Sequence, residues 1–339
     1  MPAFCHLVLV CVVPSGSSED VRHDHRRVGR SGCGLGDQLI VETALRDHEF
    51  VFVGGMHRSG TTYLADSIAS GESATGLASS GAHMGEGQFL QDVFPLDNEI
   101  GRVTGWALNG RAHLTDGDIQ SRDEIAGRLW RAWSPHWDLS KRYLVEKTPN
   151  NITKTRYLQA VFPNSRFIII TRHPISQALA IRKFSHRRAQ RFGAHFDALV
   201  ANWVAAHACL REDQSFIRRL LVVRFEDLVL RPGPVLEQVE DFLDGHGNTS
   251  RWKALDRESA FRYARVWHTA TAPGGRIHAL LRVPKNRAST RERAKAYLQG
   301  VADALLLPKV ARQITERYRS EISGYGYDLD NFYEAAPWR

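Results

Sequence analysis

Residues 50–64 constrain the fold more than any other stretch of the chain. Phe50, Val51, Phe52 and Val53 form an unbroken apolar run, Gly54 and Gly55 end it, and Thr61 opens a segment with Leu64, Ala65 and Ile68 at helical spacing. A short continuous apolar run reads as a strand buried on both faces. A buried strand that passes through glycines into a helix is half of a βα unit. The connection carries Arg58, Ser59, Gly60, Thr61 and Thr62. Its glycines let backbone N–H groups approach a ligand, and the helix start adds free N–H groups and the positive end of its dipole. With three hydroxyls and the fork of Arg58, the segment is a cradle for phosphate.

The same alternation continues along the chain. Residues 143–145, 166–171 and 220–223 read as further strands. Helices are expected over 123–133, 153–161, 175–190, 196–210, 232–242 and 305–322, and the Gly- and Ser-rich residues 71–88 read as a loop. Strands alternating with helices imply βαβ units and a parallel sheet covered on both faces. The expected class is α/β, a three-layer P-loop-like fold with a central parallel sheet flanked by helices. Nothing divides residues 41–339, which are expected to form one domain. Residues 1–40 are expected to be a poorly ordered extension. Their apolar run at 4–13 is shorter than the ~20 residues that span a bilayer, and no Lys or Arg precedes it as in a secretion signal.

Two details separate the cradle from an ATP-hydrolysing loop. The spacing Gly55-x4-Gly60 mimics a Walker A motif, but Thr61 stands where its lysine belongs. The strand at 166–171 runs into Arg172, not the acidic residue that would hold magnesium. The chain therefore reads as a P-loop relative that binds its nucleotide without a metal. Arg172 lies at the sheet edge where parallel sheets bind ligands, and Pro174 opens the next helix beside it. A second anion next to the first cradle fits a nucleotide phosphorylated at both its 5′ and 3′ positions.

Four segments, HRSGTTYL, EKTPNN, FPNSRFIIITRHP and VVRFEDLVLRP, in this order and spacing, resemble the sulfotransferases that use 3′-phosphoadenosine-5′-phosphosulfate (PAPS). The resemblance runs over residues 50–329. The loop is similar to that of the branch holding tyrosylprotein and many bacterial sulfotransferases, with RSGTT in place of the KSGTT of the cytosolic enzymes. The EKTP segment is similar to the EKSP of polysaccharide sulfotransferases. The resemblance implies PAPS as co-substrate, no metal, and a small-molecule or saccharide hydroxyl as acceptor.

It also implies roles. Ser59, Gly60, Thr61 and Thr62 would hold the 5′-phosphosulfate, Arg172 the 3′-phosphate, and Arg58 the charge that grows on the leaving phosphate. The family pairs this second arginine with a serine eight residues on, which here is Ala180; Ser176, one helical turn earlier, is the candidate substitute. Glu86 stands where the related branch carries its catalytic glutamate and is the candidate general base. His83 is the runner-up and His57 a third option. Lys147 is a candidate contact to the sulfate or acceptor, with Glu146 orienting it, although the two also fit a surface ion pair. Arg224, Glu226 and Asp227 read as strand-end pins, the run at 182–188 as a basic helix face, and residues 285–287 as a possible approach to the 3′-phosphate.

Composition narrows the alternatives. With 43% hydrophobic and 24% charged residues, the chain is neither disordered nor a membrane bundle, so no stable membrane insertion is expected. The charge of +8 is dispersed without interleaved aromatics, so nucleic acid is not an expected partner. Three of the four cysteines, Cys5, Cys11 and Cys33, lie in the extension, and Cys209 reads as a buried helix residue. That pattern fits a reducing, cytoplasmic setting. The competing functions are a P-loop nucleotide kinase or hydrolase and a non-catalytic nucleotide-binding protein.

Overall fold

Strand β1 (Glu49–Gly55) sits at the centre of a five-stranded sheet. A computed structural model describes residues 35–182, 192–245, 252–272 and 289–334 together with 336 and 338. The other strands are β2 (Ala74–Gly76), β3 (Tyr143–Lys147), β4 (Ser165–Thr171) and β5 (Leu220–Arg224), in the order β2-β3-β1-β4-β5, and every pairing is parallel. Because β1 and β4 are buried along almost their whole length, both faces must be covered.

Period-two alternation divides β1 between two cores. Phe50 and Phe52 pack with Trp130, Trp133, Trp137 and Phe162 beneath helices α1 (Leu35–Asp47), α4 (Arg122–Trp133) and α5 (Thr155–Val161). Val51 and Val53 enter the opposite core. That core is built by α2 (Thr61–Ala69), α6 (Pro174–Arg182), α7 (Phe192–Asp213), α8 (Phe225–Leu230), α9 (Pro232–Phe242), α10 (Arg257–Thr271) and α11 (Thr290–Gly324). Among the described residues, α3 (Asp97–Ile100) is a further, single-turn helix in the long β2–α4 connection. The three-layer α/β architecture is thus present. Each fully buried phenylalanine or tryptophan contributes roughly 1.5–3 kcal/mol by removal from water, and the close Phe50–Phe162 ring pair, 4.5 Å between centroids, adds to that.

Three differences from the sequence reading stand out. Residues 71–88 are not all loop, because β2 pairs Ala74 with Tyr143 at the sheet edge. The last helix begins at Thr290, not near 305, and continues through Pro308. The boundary expected at residue 40 falls inside α1, whose Val41 and Ala44 face the Phe50 core. The apolar run at 4–13, three of the cysteines, the basic residues 183–188 and residues 285–287 lie outside the described residues. Among the described residues no helix is long and apolar enough to cross a membrane.

Register brings the functional ends together. Val53 lies opposite both Lys147 and Ile168, and Gly55 opposite Ile170, so Lys147, the cradle after Gly55 and Arg172 after β4 emerge at one edge. It is the C-terminal edge, and β1 is flanked there by strands reached in opposite directions, where open α/β sheets bind ligands.

Candidate active site

Two glycines shape the cradle. At Gly55 (φ +150°) a Cβ would fall 2.3 Å from the Ile170 carbonyl oxygen, and at Gly60 (φ +105°) it would fall 3.0 Å from the Phe225 ring. Gly60 is also the N-cap of α2 and supplies no side-chain cap. The first-turn N–H groups therefore have no intrahelical acceptor and are available to an anion. The hydroxyl of Ser59 does not join them. It is fully buried and donates to the Met56 carbonyl at 2.6 Å, so it closes the loop on itself. Gly60, Thr61 and Thr62 line the cavity in front of the helix.

Arg58 adopts left-handed backbone (φ 68°), which costs a non-glycine residue on the order of 1 kcal/mol. Its carbonyl accepts from Arg172 Nη1 at 2.9 Å, and the preceding His57 carbonyl accepts from Gln177 Nε2 at 2.9 Å. These two ties, from beyond β4 and from α6, turn the loop. They leave Arg58 on the wall shared by two cavities, one of about 440 Å3 and one of about 220 Å3.

Arg172 and Phe225 belong to the same shared wall. The Arg172 guanidinium stacks 4.1 Å over the Phe225 ring and donates from Nη2 to the Ala260 carbonyl at 3.0 Å. Its Nε is buried with no hydrogen-bond partner among the described residues. Burial pulls its pKa down, the nearby Glu226 carboxylate opposes this, and the charges of Arg58 and Arg262 act in the same direction as burial. A buried guanidinium with an orphaned donor, crowded by two like charges, is stabilised by an incoming anion. Ala180 lines the smaller cavity, while Ser176 is buried on α6 and lines neither. The strand-end residues are structural. Glu226 accepts from the His173 backbone N–H at 3.0 Å, and Arg224 donates to the carbonyls of Tyr325, Gly326 and Ala336.

On the other side of the larger cavity, Met84 is a second residue with left-handed backbone (φ 55°). It turns the loop so that Glu86 comes back toward β3. The Glu86 carboxylate accepts from Lys147 Nζ at 3.3 Å and from Gln88 Nε2 at 2.7 Å, and Lys147 also donates to the Met84 carbonyl at 2.7 Å. Glu86 and His83 both line the cavity, with His83 edge-on to Phe89. Lys147 is buried behind them, not on the surface, and does not line the cavity. Glu146 is likewise buried, but it binds the Gly87 N–H, Thr148 and Asn151 instead of Lys147; burial pushes its carboxyl pKa up.

His57 faces a residue that no sequence pattern marked. Its Nε2 lies 2.7 Å from Asp97 Oδ2, and both line the larger cavity. Burial pushes the Asp97 carboxyl up, but the hydrogen bond and charge of His57 prevail and hold it below the usual range. Gln88 joins this pair to Glu86, since its Oε1 accepts from the Asp97 N–H at 3.3 Å while its Nε2 serves the glutamate. Asp97 and Gln88 had no motif to announce them, and Phe225 stood inside VVRFEDLVLRP with no role assigned to it. Cys209 is half-buried on α7, away from these cavities. Among the described residues no group of three or more His, Cys, Asp or Glu is placed to hold a metal.

A family model described as "Sulfotransferase family" matches residues 51–246. No curated protein matches the chain. The chain is similar to three solved structures at low identity. One is the sulfotransferase domain from the curacin biosynthetic pathway, with 17% identity over 81% of this chain and 95% of that one, TM-score 0.38. A sulfotransferase from Mycobacterium tuberculosis has 15% identity over 68% and 74%, TM-score 0.40. The sulfotransferase domain from the olefin synthase of Synechococcus PCC 7002 has 17% identity over 77% and 93%, TM-score 0.35.

Proposed function

The chain belongs to the sulfotransferase family, and on that premise we propose that it moves a sulfuryl group from PAPS to a hydroxyl of a small-molecule or saccharide acceptor. The observation that carries the reading is the pair of cavities divided by Arg58, Arg172 and Phe225 at the C-terminal sheet edge. The larger would take the acceptor and the sulfuryl group, and the smaller the nucleotide's 3′ end. The residues fit such a ligand. The orphaned Arg172 Nε, the uncapped start of α2 and the glycine-dependent close approach at Gly55 and Gly60 each suit phosphate.

PAPS supplies an activated S–O bond to a phosphate leaving group. Transfer forms a bond from the acceptor oxygen to sulfur and breaks the bond from sulfur to the bridging oxygen, which keeps the electron pair. The α2 N–H groups, with Thr61 and Thr62, hold the leaving phosphate. Arg58 neutralises the charge that develops there, and being an arginine it acts by charge and hydrogen bonding without giving up its proton. Glu86 takes the acceptor's proton as general base. Lys147 acts through Glu86 and the Met84 carbonyl by holding the loop, a positioning role in place of direct contact with sulfate.

The direct test of the nucleotide site is thermal unfolding with saturating adenosine 3′,5′-bisphosphate, the expected product. At a hundredfold excess over Kd the stabilisation is about 2.7 kcal/mol. Arg172→Ala should remove most of the shift. An unchanged melting temperature in the wild-type protein would refute the reading.

A further inference from the structure

The smaller cavity poses a problem that its own wall answers. A 3′-phosphate monoester carries a charge between −1.5 and −2 near neutrality, and its usual hydroxyl partner is replaced here by the methyl of Ala180. Ser176 does not reach the cavity. What faces Ala180 is α10, which contributes Ser259, Arg262 and Tyr263. We infer that α10 completes the 3′-phosphate site, with Arg262 as its second guanidinium and Ser259 in place of the missing hydroxyl. This rests on the PAPS reading above and extends it to a helix beyond the matched residues 51–246.

The geometry supports the assignment in three ways. Arg262 is held at the rim, donating from Nη2 to Tyr263 Oη at 2.7 Å with its guanidinium 4.6 Å over that ring. α10 is already fastened to the anion site, because its Ala260 carbonyl accepts from Arg172. Among the described residues the one carboxylate on the wall, Asp256, is committed as the N-cap of α10 and accepts from the Ser259 N–H at 2.9 Å. Three guanidiniums, Arg58, Arg172 and Arg262, therefore share the wall of a cavity of about 220 Å3. Arginine forks match phosphate oxygens two at a time, so a dianion here replaces mutual repulsion with charge-assisted hydrogen bonds.

The experiment is calorimetric titration of the full chain with adenosine 3′,5′-bisphosphate and with adenosine 5′-monophosphate, for wild type and Arg262→Ala. Because Arg262 is exposed, the variant should fold. It should bind the bisphosphate roughly 10–100-fold more weakly, as expected for one lost charge-assisted contact, while its monophosphate affinity stays unchanged. If wild type prefers the bisphosphate and Arg262→Ala keeps that preference in full, the assignment of α10 is wrong and the PAPS reading stands. If wild type binds neither nucleotide, the PAPS reading fails and this inference with it.

Discussion

Replacing Glu86 by glutamine separates its chemistry from its structural pairing. The carboxylate is nearly buried, at 7% exposure, and faces Lys147, at 4%, across 3.3 Å. Removing one partner of a buried ion pair costs about 3–5 kcal/mol when the other charge is stranded. Lys147 is not stranded here, because it keeps the Met84 carbonyl at 2.7 Å. The expected loss is then nearer ~1–3 kcal/mol, or roughly 2–6 °C in Tm for a chain of this size. Loss of a general base should lower turnover by about 10²–10⁴. Adding Lys147→Met also removes the tie to the Met84 carbonyl that holds the loop, so the double variant should lose further Tm and recover none of the turnover. Sulfate transfer and thermal unfolding, measured on wild type, both single variants and the double variant, give all the required terms. Turnover of Glu86→Gln within a few-fold of wild type would refute Glu86 as base and move the role to His83 or to His57 with Asp97.

Gly60→Ala should destabilise the cradle. Its Cβ combines a left-handed backbone with a 3.0 Å approach to Phe225, together about 2–5 kcal/mol; an unchanged Tm would show that the loop does not hold this conformation. Acid should also weaken the fold. Burial pulls the pKa of His173 and of His207 down to about 3, so below the unfolded value near 6.5 the unfolded chain binds protons that the folded one does not. Each histidine then removes up to about 1.4 kcal/mol of stability per pH unit between pH 6.5 and 3. His207→Phe, which preserves the stack on Trp203, should reduce that slope by one histidine in urea unfolding between pH 6 and 4.5; identical slopes would refute the buried neutral state.

The parts of this fold that a sequence can announce are those set by local pattern. β1, β4 and β5 each contain an uninterrupted apolar run, and Arg58, Thr61 and Arg172 come after two of them, so strand and turn were legible together with the candidate anion contacts. β2 was not, because three residues of Ala, Thr and Gly carry no period and gain their extended form by pairing with β3. Lys147 was legible as a candidate site residue but not as a buried one. Its burial follows from β3 continuing two residues past Val145, to the edge beside the cradle. Asp97 meets His57 across forty residues of chain, and α10 meets Arg172 from still further away. Such contacts are decided by packing of the layers, which leaves no local mark in the sequence.

The central claim is sulfuryl transfer, and labelled sulfate reports it directly. Wild-type protein incubated with sulfur-labelled PAPS and a hydroxyl-rich metabolite extract should label at least one acceptor. Arg58→Ala should lower the rate by about 10²–10³, the usual consequence of removing one group that stabilises developing charge. No labelled acceptor from wild type, in protein that binds adenosine 3′,5′-bisphosphate, would mean a nucleotide-binding protein without transferase activity.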